Sequence, residues 1–236
     1  MTGPGARIAL CIMAKAPEPG RVKTRLCPPL SPDDAAELYR AFLLDKIAQV
    51  REVPDIEPVI AYAPLGAAAL FERLAPGFAL LPQGEGDLTA RLGTVLARLF
   101  GDGRDAAILT DSDTPTLPAG LLAHAAALIA SPEYDLVLGP SEDGGYYLIG
   151  LKRLRPELFE DMPWSTPAVL EETARRARAL GLRTARLRPW YDVDTAADLA
   201  RLTAELVADP HGGARHTREF VAGRLAGRTA GLPGSV

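Results

Sequence analysis

The sequence predicts an α/β fold: one domain built on a mostly parallel sheet with helices on both faces. Three observations predict it. Short apolar runs of strand length alternate with amphipathic helical stretches, the βα rhythm of a parallel sheet. Several runs, such as Ile8-Ala-Leu-Cys-Ile-Met13 and Ala106-Ala-Ile-Leu-Thr110, are apolar throughout, as strands covered on both faces must be. The 236 residues, 47% of them hydrophobic, suffice for one sizeable core.

Arg7–Met13 reads as the first strand. Ser31-Pro32-Asp33-Asp34 opens a helix that runs to about Glu52, because serine caps, proline fits the first turn and acids favour the positive dipole end. Leu38, Phe42, Leu43 and Ile47 share its inner face. Pro58–Ala61 and Phe78–Leu81 are the next strands, separated by a helix over Gly66–Leu74. Asp87–Phe100 is an amphipathic helix that turns Leu88, Leu92, Val95, Leu96 and Leu99 inward. Strand Ala106–Thr110, helix Pro118–Ala130, strands Leu136–Gly139 and Tyr146–Leu151, helix Pro167–Leu180, strand Arg183–Leu187 and helix Thr195–Val207 complete the pattern. The domain spans residues 1–208. The Gly-, Arg- and His-rich stretch 209–236 reads as a flexible tail, with room for a short helix around Thr217–Leu225.

Net charge is −4 with both signs spread along the chain, so a nucleic-acid-binding face is not expected and phosphate binding must be local. No apolar run approaches the roughly 20 residues of a membrane span. With no leader-like apolar run before the first strand, the expected compartment is the cytoplasm. Cys11 and Cys27 make neither a disulfide framework nor a zinc site, and the three histidines are poorly placed as ligands.

Four segments carry chemistry. The loop after the first strand holds Lys15, Arg21, Lys23 and Arg25, stiffened by Pro17 and Pro19, with Gly20 for backbone freedom. Ligands bind beyond the carboxyl ends of parallel strands, where cations and free N–H groups suit phosphate oxygens. Val22 precedes Lys23-Thr24 where a Walker A loop needs glycine, and a dinucleotide fingerprint needs two more glycines. Thr110-Asp111-Ser112-Asp113-Thr114-Pro115 places two carboxylates just past a buried strand, suited to Mg²⁺ or Mn²⁺, or to organising a turn before Pro115. In Glu142-Asp143-Gly144-Gly145-Tyr146 the glycines allow close approach of a ligand or a tight turn. Glu142 and Asp143 offer hydroxyl acceptors or a base. Asp192-Val193-Asp194-Thr195 precedes the last helix, so Asp194 or Thr195 is either its cap or, for Asp194, a partner of Asp113 on a metal. Trp164, Ser165 and Thr166 offer an indole and two hydroxyls to a polar acceptor, or a helix cap.

In this order the segments resemble the DUF2064 family of bacterial nucleotide-diphospho-sugar transferase-like proteins. The matching residues are Lys15-x-Pro17-x-x-Gly20-x-x-Lys23-Thr24-Arg25-Leu26, Asp113-x-Pro115, Asp143-Gly-Gly-Tyr146, Trp164-Ser-Thr166 and Asp192-Val-Asp-Thr195. The resemblance implies a GT-A fold, a Rossmann-like mixed sheet with nucleotide at its carboxyl edge. It implies Asp113 and Asp194 as contacts of Mg²⁺ or Mn²⁺. Asp111 is a third metal candidate, although relatives more often carry glycine there.

Two reactions are expected. In glycosyl transfer from a nucleotide-sugar to a small-molecule acceptor, Lys15, Lys23, Thr24 and Arg25 hold the donor diphosphate, while Asp143 or Glu142 orients or deprotonates the acceptor hydroxyl. In nucleotidyl transfer from a nucleoside triphosphate to a phosphorylated metabolite, the same loop holds the departing pyrophosphate. A non-catalytic nucleotide-binding regulator is the third reading.

Overall fold

The computed structural model describes residues 6–225. Seven strands form one sheet in the order β3-β2-β1-β4-β6-β5-β7. They are β1 (Ile8–Lys15), β2 (Glu57–Ala63), β3 (Ala79–Pro82), β4 (Ala106–Thr110), β5 (Leu136–Pro140), β6 (Tyr146–Leu151) and β7 (Thr184–Arg186). Only β6 runs antiparallel, to both β4 and β5. The helices are α1 (Pro32–Arg51), α2 (Ala68–Leu74), α3 (Leu88–Gly101), α4 (Ala119–Ala130), α5 (Val169–Ala179), α6 (Ala196–Ala208) and α7 (Arg215–Phe220). This is a mixed α/β sheet with helices on both faces, as the resemblance implies.

Residue alternation along the strands builds two cores. Leu10, Ile12, Ile60, Ile108 and Val137 pack on one face against Leu38 and Phe42 of α1, Phe71 of α2, Leu122 of α4 and Leu202 of α6. Ala9, Cys11, Val59, Leu109, Leu138 and Ile149 pack on the other against Val95, Leu96 and Leu99 of α3 and Ala177 of α5. Strands buried on both sides explain the continuous apolar runs.

Ser31 caps α1 by accepting the Asp34 amide hydrogen. No helix among the described residues is long and apolar enough to cross a membrane.

The carboxyl-terminal segment holds a short helix where one was expected, around Thr217–Leu225, but up to residue 225 it is packed on the domain rather than a free tail. Helix α7 and the π-helical turn Val221–Leu225 follow α6, and Ala214, Thr217 and Val221 are buried in the core formed with α1. The buried Asp45 carboxylate of α1 accepts from the His216 and Thr217 amides and from the Thr217 hydroxyl, at 2.8, 2.9 and 2.6 Å. The two amides lie in the first turn of α7, whose donors the helix itself leaves unpaired. The expected tail beyond residue 225 lies outside the described residues.

Candidate functional site

The parallel strands deliver their following loops to one edge of the sheet, and three of these loops meet there. The Asp113 carbonyl accepts from the Val193 amide at 3.0 Å, tying the loop after β4 to the segment before α6. Lys23, from the loop after β1, sits in the left-handed region at φ 47°. Its ammonium lies 2.6 Å from Asp113 Oδ1, 2.7 Å from Asp194 Oδ1 and 2.8 Å from the Val193 carbonyl oxygen. The Lys23 side chain is only 4% exposed, against 36% for Asp113 and 38% for Asp194. Burial favours a neutral amine, but the two carboxylates outweigh it and hold the ammonium pKa above its ordinary value. Asp194 moves the other way: burial raises its pKa, and Lys23 more than reverses this.

Thr195 is the cap of α6. Its hydroxyl accepts from the Asp198 amide while Asp198 accepts from the Thr195 amide, a reciprocal capping box. Asp194 is therefore free of capping duty and faces Lys23. Arg25, 71% exposed, stands 3.9 Å from Asp194 Oδ2 at the rim. Thr24 is exposed on the same 3-10 turn, Thr24–Leu26.

Asp111 stands apart from the Lys23 cluster that joins Asp113 and Asp194. Its Oδ1 accepts from the Thr114 hydroxyl at 2.7 Å and the Asp113 amide at 3.3 Å, so it organises the turn. Beneath it lies Lys46 of α1, fully buried, 3.9 Å from Asp111 and donating to the Thr114 hydroxyl at 2.7 Å. Burial pushes Asp111 up and Lys46 down, and each partly restrains the other.

Lys15 points elsewhere. With Arg21 and Arg91 it lines a 470 Å³ cleft over the carboxyl ends of β2 and β3, walled by Tyr62, Pro64 and Pro82. Pro17 is half-buried and Gly20, at φ 72°, turns the exposed tip of the loop. The cationic loop thus serves two neighbouring places rather than one.

On the other side of the cluster, Asp143, Gly145, Tyr146, Trp164, Ser165 and Thr166 line a second pocket of 220 Å³ with Asp111, Ser141 and Asp192. Trp164 donates its indole N–H to Thr89 at 2.8 Å and meets Tyr146 edge to face. Ser165, at φ 62°, is another non-glycine residue held left-handed. Neither Ser165 nor Thr166 is the N-cap of α5; that residue is Ala168, whose amide reaches Thr166 at 3.4 Å.

Gly144 is required by a contact within the protein. At φ 91°, a Cβ there would lie 2.3 Å from the Pro167 carbonyl oxygen. Asp143 accepts from the Gly145 amide at 2.8 Å. Glu142 is gripped by both terminal nitrogens of Arg201, at 2.5 and 3.0 Å, and that hydrogen bonding keeps its carboxyl below the ordinary range. This makes it a weak base, which counts against its expected role in deprotonation.

Sequence reading gave Asp192 no role of its own and missed the supports from α1. Asp192 accepts from the Ser141 hydroxyl at 2.9 Å and borders both the 220 Å³ pocket and a 510 Å³ cleft shared with Arg25 and Asp194. Tyr39 accepts from the Lys15 amide and bonds Ser112 at 2.8 Å, joining the ends of β1 and β4. Gln49 donates to the Pro115 carbonyl at 2.6 Å. The signal for Lys46 and Gln49 was their position on the same helical face as Leu38 and Phe42, where polar residues need partners.

Among curated proteins none matches the chain. In sequence, residues 46–166 match the family model described as an uncharacterized protein conserved in bacteria, DUF2064. In structure, the chain is similar to a protein from Desulfovibrio desulfuricans G20 that carries a provisional nucleotide-diphospho-sugar transferase assignment. Identity there is 30% and the TM-score 0.84, over 94% of this chain and 96% of that one. The fold is shared more distantly with a CMP-2-keto-3-deoxy-manno-octonic acid synthetase solved with CTP. That likeness has 13% identity, a TM-score of 0.56 and coverage of 86% and 100%. A mannosyltransferase from Pyrobaculum calidifontis, solved with GDP-mannose and Mn²⁺, shares it at 15% identity and a TM-score of 0.52, over 97% and 76%. Glycosyl- and nucleotidyltransferases thus stand side by side among the structures that share this fold, and by sequence and structure together the chain belongs to the DUF2064 family.

Proposed function

We propose that this protein is a metal-dependent glycosyltransferase that takes a nucleotide-diphospho-sugar as donor. The observation that carries the proposal is the convergence of Lys23, Asp113 and Asp194, from three separate loops, at the carboxyl edge of the sheet. The donor set fits Mg²⁺ or Mn²⁺. Such ions take one or two protein carboxylates and complete their shell with water and phosphate oxygens. Among the described residues no group of three or more acidic, histidine or cysteine side chains is placed to hold a metal ion, so the remaining ligands would come from water and the donor. Bound there, the ion would neutralise charge on the departing nucleoside diphosphate.

The chain's own residues divide the rest of the work. The cleft of Lys15, Arg21 and Arg91, walled by Tyr62, Pro64 and Pro82, receives the nucleotide; Arg25 at the rim addresses the diphosphate, while Lys23 holds the two carboxylates in place. Asp143 orients the acceptor hydroxyl.

The 220 Å³ pocket favours glycosyl over nucleotidyl transfer. It has aromatic walls, Tyr146 and Trp164, and carboxylates Asp111, Asp143 and Asp192, but no lysine or arginine lines it. Carboxylates and an indole face suit neutral hydroxyls. A phosphorylated acceptor would meet like charge there and no cation to pair with. Of the two arginines in the adjoining cleft, Arg201 is engaged by Glu142.

The test is release of nucleoside diphosphate from UDP-, GDP- and dTDP-sugars with Mn²⁺ and a panel of small hydroxylated acceptors. Release that needs Mn²⁺ and is lost in Asp113→Ala supports the proposal. Pyrophosphate release from a nucleoside triphosphate with a phosphorylated acceptor, and no diphosphate release, replaces it with nucleotidyl transfer. Nucleotide binding unaffected by Asp113→Ala, with no turnover of any kind, replaces it with the regulator.

A further inference from the structure

At the opposite end of the sheet, where β6 ends and β5 and β7 begin, lies a 390 Å³ cleft that the proposed transfer does not use. It is lined by Asp135, Lys152, Arg153, Arg155, Leu180, Gly181, Leu182 and Arg183, of which the five charged side chains matter here. The pairing of Leu136 with Leu151 at this end, and of Pro140 with Tyr146 at the other, puts it on the order of 15 Å from the candidate site.

Four cations face one carboxylate, a local charge of +3 on a chain whose net charge is −4. Two of the cations are engaged. Arg183 holds Asp135 through two nitrogens, each at 2.9 Å, and Lys152 donates to the Ser131 carbonyl. Arg153 and Arg155 make no ion pair or side-chain hydrogen bond among the described residues, and Arg155 Nε is sealed from solvent without an acceptor. A guanidinium with a buried donor left unpaired is costly unless an anion supplies the acceptor.

The carboxyl end of α5 works against an anion, but only weakly. Gly181, at φ 67°, donates to the Arg178 carbonyl and Leu182 donates to the Ala177 carbonyl, so the helix end is closed by its own backbone. The helix contributes about half a negative charge there at most, against the three positive charges of the side chains.

We infer that this cleft is a second binding site, for a small molecule carrying a phosphate monoester. A phosphate dianion offsets most of the excess charge and offers several acceptors to the exposed Arg153 guanidinium and to Arg155 where it lines the cleft. A concave cleft with that charge at its walls suits a soluble metabolite rather than a membrane surface.

The test follows amide resonances of the full-length protein as inorganic phosphate is added. Saturable shifts at Gly181, Leu182 and Arg153 are expected, and they should weaken by about tenfold or more in Arg153→Gln/Arg155→Gln. Arg153→Gln alone removes an exposed side chain and should weaken them without affecting folding, should the double variant not fold. Neither residue belongs to the proposed transfer machinery, so diphosphate release without added phosphate should be unchanged in Arg153→Gln. No saturable shift at these amides, or equal shifts in wild type and Arg153→Gln, overturns the inference. So does co-sedimentation with phosphatidylcholine vesicles containing phosphatidic acid when inorganic phosphate gives no response.

Discussion

Replacing Lys23 with methionine tests the convergence without touching either aspartate. The substitution keeps the apolar stem and removes the ammonium that lies 2.6 and 2.7 Å from the two carboxylates. The facing oxygens are then at most about 5 Å apart with nothing between them. At a separation of about 5 Å, repulsion costs about 1–3 kcal/mol as the effective dielectric runs from water-like to that of a protein surface. This range applies because each carboxylate is more than a third exposed. Loss of the 2.8 Å bond to the Val193 carbonyl adds about 1 kcal/mol. The metal-free variant should therefore lose roughly 2–4 kcal/mol, or roughly 5–15 °C in melting temperature for a chain of this size. Mn²⁺ should restore much of this by screening the two carboxylates from each other: a ligand at about 100 times its Kd stabilises by about 2.7 kcal/mol. The assay is thermal unfolding of wild type and Lys23→Met in EDTA and in Mn²⁺. A variant that melts within about 2 °C of wild type in EDTA would refute the electrostatic reasoning.

Other predictions concern the scaffold around the site. Gly144→Ala should cost about 2–4 kcal/mol in chemical denaturation, because its methyl group would meet the Pro167 backbone and φ is positive. Asp45→Ala should cost about 2–4 kcal/mol and open the segment around Gly212–Gly213 to limited proteolysis, since three donors of the last helix lose their acceptor. Asp135→Asn should show a pH-dependent effect. Hydrogen bonds from Arg183 hold the Asp135 carboxyl at about 2, so its contribution is present above the unfolded value of about 4 and is lost as pH falls toward 2. The variant should be the less stable protein at pH 6, with the gap closing by pH 2 in denaturant titrations. Trp164→Phe should raise KM for the acceptor or sugar while leaving Mn²⁺ affinity unchanged, because the indole and its bond to Thr89 wall only the 220 Å³ pocket.

The fold was legible because strand and helix periods, caps and length all agree along this chain. Ser31 and Thr195 announce their helices by capping chemistry that is purely local. The antiparallel β6 was legible as a hairpin partner of β5, since five residues with two glycines separate them. What the sequence could not supply was the pairing of distant side chains. Lys23 and Asp194 are 171 positions apart, and nothing local says that an ammonium will sit between Asp113 and Asp194 rather than on a ligand. Asp111 and Asp113 look equivalent in a D-x-D pattern; only Lys46 and Thr114, brought in by α1 and the turn, separate their duties. The stretch after Asp209 has the composition of a tail, yet a buried acid on α1 fastens its helix. Polar residues on the apolar face of α1 were the legible trace of both arrangements.

The central claim is that Asp113 and Asp194 bind a divalent ion together with the diphosphate of a nucleotide. Electron paramagnetic resonance of Mn²⁺ tests it directly, because the free-ion signal falls as the ion is bound. Adding protein and a nucleoside diphosphate together should quench that signal more than the two added separately, and Asp113→Ala/Asp194→Ala should abolish the excess. Nucleotide binding of equal strength in EDTA, in Mn²⁺ and in the double variant would contradict the account.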